Sequence, residues 1–411
     1  MKVQTLRASW DDFWFTPQSP VPIALFRILF GFVVLCYGMI LAPDLFLWFG
    51  DKGVISLKTA EMTGFKPHIN LLACLPSGNF WILIFFLSFM LFALALTFGI
   101  CTRLSSVVVW LGLATLYNRD LTIANGATIL MLVLSFLLIF THAGAAVSMD
   151  RLWRIARGRE TEVLTEKAPW GQRLIQIQLS LVYFWAFLFK IQSSQWVNGT
   201  ALYYIARSNL WLRFGIPFGG YLWATAVYSW LTLLLEFSLS ILIWFAEFRY
   251  FVLLAGFLFH LGMEFSLNIP WFQITTLSPY VTFIRPEDLR RLMDRIRVGF
   301  NRQFRMDAKV LYNVSCEACV RMSRLVRALD LFHRIRWGNQ STLSGHPFEI
   351  CLSDDRRLHG FEAFRWLLGQ LPLLWPMALV ASLPLSRSFF RALYNRFTTL
   401  RFCLLGIRCQ N

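Results

Sequence analysis

Val310-Leu311-Tyr312-Asn313-Val314-Ser315-Cys316-Glu317-Ala318-Cys319 is the stretch on which the reading of this chain turns. It reads as a short strand, a Cys-x-x-Cys turn and the start of a helix, the setting in which a chain presents a redox dithiol. A thiolate attacks disulfides, whereas a thiol barely does. The unpaired N–H groups of a helix start carry partial positive charge that stabilises a thiolate. Cys316 is therefore the expected nucleophile, and Cys319, three residues on, the expected resolving thiol. Arg321 and Arg324 add positive charge in favour of the thiolate, and Glu317 opposes it. Two plainer readings stand beside this one. The cysteines are idle, or they are half of a zinc site that needs Cys351 with His346 or His359 to complete it.

Upstream of the motif, to about residue 284, the chain changes character. Of its 411 residues 57% are hydrophobic and 17% aromatic, and only 15% are charged, against about 25% in ordinary soluble domains. Uncharged runs include Ile28–Pro43, Pro67–Thr102, Leu121–Met149, Phe214–Leu235 and Phe265–Ile284. A spanning helix needs roughly 20 mostly apolar residues, and several of these runs supply them. The pattern predicts a polytopic membrane domain. Spanning helices are expected near 21–41, 79–99, 104–118, 123–141, 172–191, 221–245 and 249–266. An eighth segment, 269–284, begins at Pro270 and is re-entrant or spanning. Trp10, Asp11, Asp12 and Trp14 stand where a cleavable signal would be apolar, so the first span is expected to remain as an anchor.

The net charge is +16, and it gathers at the end: 21 Lys and Arg against 10 Asp and Glu from Arg285 onward. Anionic lipid headgroups on a cytoplasmic face are the expected partner of that charge. No nucleic-acid-binding signature accompanies it, so no nucleic acid is expected. Short loops with Arg103, Arg151, Arg154 and Lys167 fall on one side, and Lys52, Arg207 and Arg213 on the other. This bias places the N-terminus inside. The expected location is an inner or plasma membrane with the C-terminal domain cytoplasmic.

The tail organises into a charged connecting helix (286–306) and a compact α/β domain (307–411), after a membrane domain of 1–285. Strands are expected at 309–312, 334–337 and 348–352, helices at 316–331 and 361–371, and a turn at Asp354-Asp355. The expected fold class is a polytopic α-helical membrane domain of about seven or eight spans plus a thioredoxin-like α/β domain. The run 371–385 is apolar but broken by Pro372, Pro376 and Pro384, so it packs on the domain or dips into the interface. Cys36, Cys74 and Cys101 sit singly in or near apolar segments, and Cys403 and Cys409 are spaced too widely for a redox turn. Nothing resembles a secreted disulfide framework.

Ionisable groups inside spans are expensive and are usually functional or paired. Arg27, Arg119 with Asp120 beside Asn125-Gly126, Lys190, Glu236, and His260 with Glu264 stand out. Arg27 and Lys190 are long enough to snorkel. His260 and Glu264 are one turn apart, but two ligands do not make a metal site, and no metal is expected. A shared polar cavity built from Arg119, Lys190, Glu236 and His260 is the preferred expectation.

The first 285 residues resemble the horizontally transferred transmembrane (HTTM) family, which includes vitamin K-dependent gamma-carboxylases. The resemblance rests on Leu25-Phe26-Arg27-Ile28-Leu29, on Tyr117-Asn118-Arg119-Asp120 with Asn125-Gly126, and on Gln176-Ile177-Gln178 through Tyr183-Phe184. It continues in Lys190 followed by Trp196, Gly199 and Ala201-Leu202-Tyr203-Tyr204. It implies a catalytic role for Lys190. Carboxylases of the family carry two adjacent lysines there and an Asn-Asn-His pattern, where this chain has Lys190-Ile191 and Ala124-Asn125-Gly126. Carboxylation is therefore not the expected activity. The tail resembles the DCC family of thiol–disulfide oxidoreductases through Val310-Leu311-Tyr312, Cys316-x-x-Cys319, Arg321–Leu331, His359-Gly360-Phe361-Glu362-Ala363-Phe364 and Leu371-Pro372-Leu373-Leu374-Trp375-Pro376. It departs from that family at Asn313-Val314-Ser315 and at Ala318.

These observations predict an integral membrane thiol–disulfide oxidoreductase. Its catalytic residues are Cys316, Cys319 and Lys190, and its substrate-binding residues are Arg119, Asn125, Glu236 and His260. The dithiol exchanges electrons with a substrate or cofactor at the membrane domain, the candidates being a quinone, a lipid-proximal peptide or another thiol–disulfide protein. The alternative is a membrane peptide-maturation or transport factor whose dithiol is structural or regulatory.

Overall fold

The computed structural model describes residues 2–56, 59–60, 62, 69–208, 210–269, 271–303, 308–314, 317–330, 332–340, 348–352 and 356–404. Cys316, Pro270, His346, the Asp354-Asp355 turn, Leu331 and Cys409 lie outside the described residues, as does the side chain of Cys403. The chain divides into two compact units, Met1–Met149 with Thr165–Pro286, and Asp150–Leu164 with Glu287–Asn411.

The first unit is helical: α1 Lys2–Phe15, α2 Val21–Leu41, α3 Asn79–Phe98, α4 Thr102–Arg119, α5 Gly126–Ile139, α6 Trp170–Ile191, α7 Leu222–Ser240, α8 Arg249–Ser266 and α9 Phe272–Leu277. Of these, α2, α3, α6 and α7 are long and apolar enough to cross a membrane, and α5 is a shorter apolar helix. The ends have local causes. Pro22 stands in the first turn of α2, where its missing N–H costs nothing. Gly99 ends α3 with φ +68, and the N–H of Ile100 returns to the carbonyl of Ala95, a left-handed stop that favours glycine. Neighbouring helices pack in sequence, α2 on α3, α3 on α4, α4 on α5, with α6 on α7. Phe26, Phe30, Phe89, Met131 and Leu134 are fully buried between them. The outer faces present Phe80, Leu87, Leu91, Trp223, Leu231 and Leu234 to the surroundings. Water disfavours a continuous apolar coat, whereas a bilayer accepts it.

Segment 269–284 is not one spanning helix. After Trp271, at φ +68, come α9 and a 3-10 stretch over Ser278–Phe283. Six residues of each geometry reach about 20 Å, short of the roughly 30 Å hydrocarbon core. Its hydroxyls bond back to nearby carbonyls, Thr276 to Phe272 at 2.6 Å and Thr282 to Pro279 at 2.6 Å, which satisfies groups that a longer helix would pair. The expected 221–245 helix likewise stops at Ser240, whose hydroxyl donates to the carbonyl of Phe237.

The second unit holds α10 Pro286–Gln303, β1 Ala308–Asn313, α11 Glu317–Leu329, β2 Arg336–Gln340, β3 Phe348–Leu352, β4 Arg357–Leu358, α12 Gly360–Gln370, α13 Trp375–Ser382 and α14 Pro384–Leu404. The four strands order β2-β1-β3-β4. β1 runs parallel to β2, with Val310 opposite Trp337, and antiparallel to β3, with Val310 opposite Ile350. The unit is thus a β-α-β crossover followed by a hairpin and a helix. Val310, Ile350 and Ala363 form its buried centre. The proline-broken run 371–385 packs α13 against α12 and α14.

Candidate functional site

Helix α6 carries a polar stripe down one face. Gln176, Tyr183 and Lys190 follow at seven-residue intervals, two turns and about 10 Å apart along the axis. Each finds a partner. Gln176 Nε2 donates to the carbonyl of Thr282 at 2.6 Å. Lys190 Nζ lies 2.5 Å from Glu236 Oε1 on α7 and 5.2 Å from the centre of the Trp196 ring. The side chain of Glu236 is 7% exposed, that of Lys190 24%. Glu236 Oε2 is buried and has no hydrogen-bond partner among the described residues.

Tyr183 links two further elements. Its hydroxyl lies 2.7 Å from His260 Nε2 on α8 and 2.6 Å from the Tyr280 hydroxyl. His260 Nδ1 is 2.5 Å from Gln273 Oε1 on α9. With the amide oxygen facing the ring, Nδ1 carries the proton and donates to Gln273. In the neutral imidazole Nε2 accepts from the Tyr183 hydroxyl, which in turn accepts from Tyr280. The result is a buried hydrogen-bonded chain, Tyr280 to Tyr183 to His260 to Gln273.

The five predicted site residues of the membrane domain therefore separate. Lys190 and Glu236 meet directly. His260 joins α6 through Tyr183, two turns from Lys190. Arg119 is elsewhere: it is 1% exposed and donates to the carbonyls of Gly50 at 2.8 Å and Ile55 at 2.9 Å. Asn125 caps α5, accepting from the N–H groups of Ala127 and Thr128 while the Thr128 hydroxyl accepts from the N–H of Asn125, a capping box. Arg119 and the Asn125 amide oxygen spend their hydrogen bonds on backbone, and among the described residues no hydrogen bond joins either side chain to Lys190. Glu264 pairs with Arg213 at 2.8 Å rather than with His260. Arg27 does not snorkel. It is fully buried and donates to the carbonyls of Ala143 and Val147 at 2.7 and 2.5 Å. Tyr183, Tyr280 and Gln273 were not among the candidates. The signal for Tyr183 lay in the seven-residue spacing with Gln176 and Lys190, and the same spacing joins Gln273 to Tyr280.

In the second unit β1 ends at Asn313 and α11 begins at Glu317, with Cys316 of the motif outside the described residues. Cys319 lies in the first turn of α11 and is 7% exposed. Arg321 is paired with Glu317, so its charge is already engaged on the helix. Arg327 donates to the Tyr312 hydroxyl at 3.3 Å and lies over the Trp337 ring at 5.0 Å. His359 Nδ1 faces Glu349 at 3.7 Å. On α12, Glu362 receives Arg365, Arg387 and Arg391 at 2.9, 2.6 and 3.8 Å. The hydrogen bond from Arg387 holds its carboxyl below the usual value, with Arg365 and Arg391 adding to the effect against partial desolvation.

Comparison with known families finds two matches in the one chain. The HTTM domain matches residues 15–287, and the DCC1-like thiol-disulfide oxidoreductase matches residues 310–407. No solved structure gives a significant match. An apolar helical domain joined to a domain of the thiol–disulfide type supports a membrane-associated redox role. The chain belongs to the HTTM domain family and carries, in the same polypeptide, a DCC1-like thiol-disulfide oxidoreductase domain.

Proposed function

We propose that this protein is an integral membrane thiol–disulfide oxidoreductase whose Cys316–Cys319 dithiol exchanges electrons with a substrate or cofactor at the membrane domain. The observation that carries the reading is the Cys-x-x-Cys at the strand-to-helix junction of a DCC1-like domain, in a chain whose other domain is built for a bilayer. The β2-β1-β3-β4 order, with its parallel crossover and antiparallel hairpin, is consistent with a thioredoxin-like arrangement. In the forward direction the Cys316 thiolate attacks a substrate disulfide, and one substrate sulfur leaves and takes a proton. Cys319 then attacks the Cys316 sulfur. The second substrate thiol is released, and a Cys316–Cys319 disulfide remains. Two electrons pass to the substrate, and the reverse sequence oxidises a dithiol. A buried Cys319 suits the resolving role, because an outside partner reaches it less readily than its neighbour does.

Lys190, Glu236 and His260 are the polar groups that a substrate or cofactor meets in the membrane domain, with Lys190 as the residue able to move a proton. In this reading both termini are cytoplasmic, as the Lys and Arg distribution favours, which requires an even number of crossings. An engineered cysteine near Asn411, in a background lacking the native ones, tests the orientation. Labelling by an impermeant reagent in intact cells contradicts it.

The dithiol step is tested by single replacements. Cys319→Ser should accumulate a mixed disulfide with the physiological partner, because attack proceeds and resolution does not. Cys316→Ser should trap nothing and lose activity. If both variants match the wild type, the redox reading fails, and a maturation or transport factor with a structural dithiol remains.

A further inference from the structure

The second unit holds a partly open apolar cavity of about 520 Å³, and Cys319 stands in its wall. Tyr312, Met322 and Trp337 line it from the sheet and α11, Phe364 from α12, and Phe390 and Leu393 from α14. Protein interiors hold few voids larger than a water molecule, so a space of this size within one small domain calls for an occupant. The wall is almost wholly hydrocarbon and aromatic and offers water few hydrogen-bond partners. Dry apolar cavities bind apolar molecules: one of about 150 Å³ takes up benzene. By proportion, this cavity accommodates roughly twenty carbon atoms, the size of a fatty acyl chain.

The helices that build the wall also carry a cluster of charge. Arg365 on α12 and Arg387 and Arg391 on α14 surround the single carboxylate of Glu362. Three guanidinium groups against one carboxylate leave a surplus of positive charge. Arg387 Nε is buried and has no hydrogen-bond partner among the described residues. None of the three arginines lines the cavity itself, but Arg391 lies over the Phe361 ring at 5.9 Å, and Phe361 contacts the wall residue Tyr394 at 6.1 Å between ring centres. Hydrocarbon space and excess cationic charge thus come from the same two helices.

We propose that this cavity binds the hydrocarbon chain of an anionic single-chain lipid, with its headgroup on the Arg365, Arg387 and Arg391 cluster. A fatty acid and a lysophospholipid share that chemistry. The chain of the ligand covers Cys319, so occupancy also governs which reagents reach the buried thiol. The site stands on the cavity and the charge cluster and does not require the dithiol to be redox-active.

The test uses the full chain in lipid nanodiscs and a palmitate carrying a diazirine on its chain. After irradiation, label should map to peptides of α11, α12 and α14, and excess palmitate should reduce it at least fivefold. Hexadecanol, which keeps the chain and lacks the charge, should compete at least tenfold less well. Palmitate and lysophosphatidylglycerol as rival competitors separate the two lipid sources. Met322→Trp and Leu393→Trp each fill part of the space and should reduce labelling at least fivefold, with labelling of the membrane helices unchanged. The Cys319→Ser protein should still be labelled, which keeps this result separate from the fate of the redox reading. Label confined to the membrane helices of the wild-type protein overturns the proposal. So does equal competition by hexadecanol, or undiminished labelling in folded Trp variants.

Discussion

Removing Lys190 should unmask the energetics of the membrane domain. Two opposite charges at about 4 Å attract by about 4 kcal/mol at an effective dielectric of 20, and desolvation offsets part of that. Removing one partner of a fully buried pair costs about 3–5 kcal/mol, mostly because the other charge is stranded. Glu236 would be stranded almost completely: its side chain is 7% exposed and its second oxygen has no partner among the described residues. Lys190, at 24% exposure and beside the Trp196 ring, has another resting place. The two single replacements should therefore be unequal. Lys190→Met should cost about 2–3 kcal/mol, at or below the bottom of the range for a fully buried pair because this one is not fully enclosed. Glu236→Gln should cost about 1 kcal/mol, since the lysine keeps its aromatic contact and reaches toward the interface. The Lys190→Met/Glu236→Gln double variant should cost less than the sum, with a coupling of about 1.5 kcal/mol or more. The assay is reversible denaturation in mixed micelles, followed by tryptophan fluorescence for the four proteins of the cycle. Additivity within about 0.5 kcal/mol would refute the ion pair as an energetic element. Normal substrate conversion by a well-folded Lys190→Met protein would reduce the lysine to an anchor.

Arg27→Met should lower stability by about 3 kcal/mol or more, because two short charge-assisted hydrogen bonds to buried carbonyls are lost at roughly 1.5–3 kcal/mol each. Arg27→Lys should recover only part, since one ammonium cannot reproduce the guanidinium fork, and a Met variant within about 0.5 kcal/mol of wild type would contradict the assignment. Acid should weaken the second unit through Glu362. Its folded carboxyl lies below the usual value, so its contribution is complete above the unfolded value of about 4.3 and disappears as pH falls through the folded one. Glu362→Gln should flatten the stability profile in that window, and an unchanged slope would show that the arginine cluster does not act on it.

The helices of the membrane domain were legible because apolar length and terminal residues both mark them. The segment 21–41 emerges with those bounds, since Pro22 starts it in the way a first-turn proline does. Segment 269–284 was less legible: its apolar composition suits a span, but Pro279 and the row of Ser and Thr hydroxyls shorten the backbone pairing. The strands expected at 309–312 and 348–352 were readable within one residue, because β-branched and aromatic residues meet turn signals there, whereas 334–337 falls two to three residues early and Arg357–Leu358 was missed. Sites were harder. Lys190 and Glu236 stood out as charges in apolar runs, yet nothing in 46 residues of separation states that they touch. Arg119 and Asn125 stood out for the same reason and instead satisfy backbone. A polar residue at a helix end looks alike in sequence whether it binds a ligand or caps the helix. Tyr183 and Tyr280 were hidden because a tyrosine in an apolar helix reads as core until its hydroxyl is seen to have partners.

The central claim is that Cys316 and Cys319 form a redox-active pair. Equilibrating the full-length protein across glutathione buffers of graded potential, followed by thiol alkylation and mass mapping, addresses it directly. The account predicts a single reversible two-electron transition near glutathione potentials, with the Cys316–Cys319 disulfide as the species that appears and disappears. Two thiols that remain alkylatable across the whole range, or a disulfide that forms elsewhere in the chain, would contradict it.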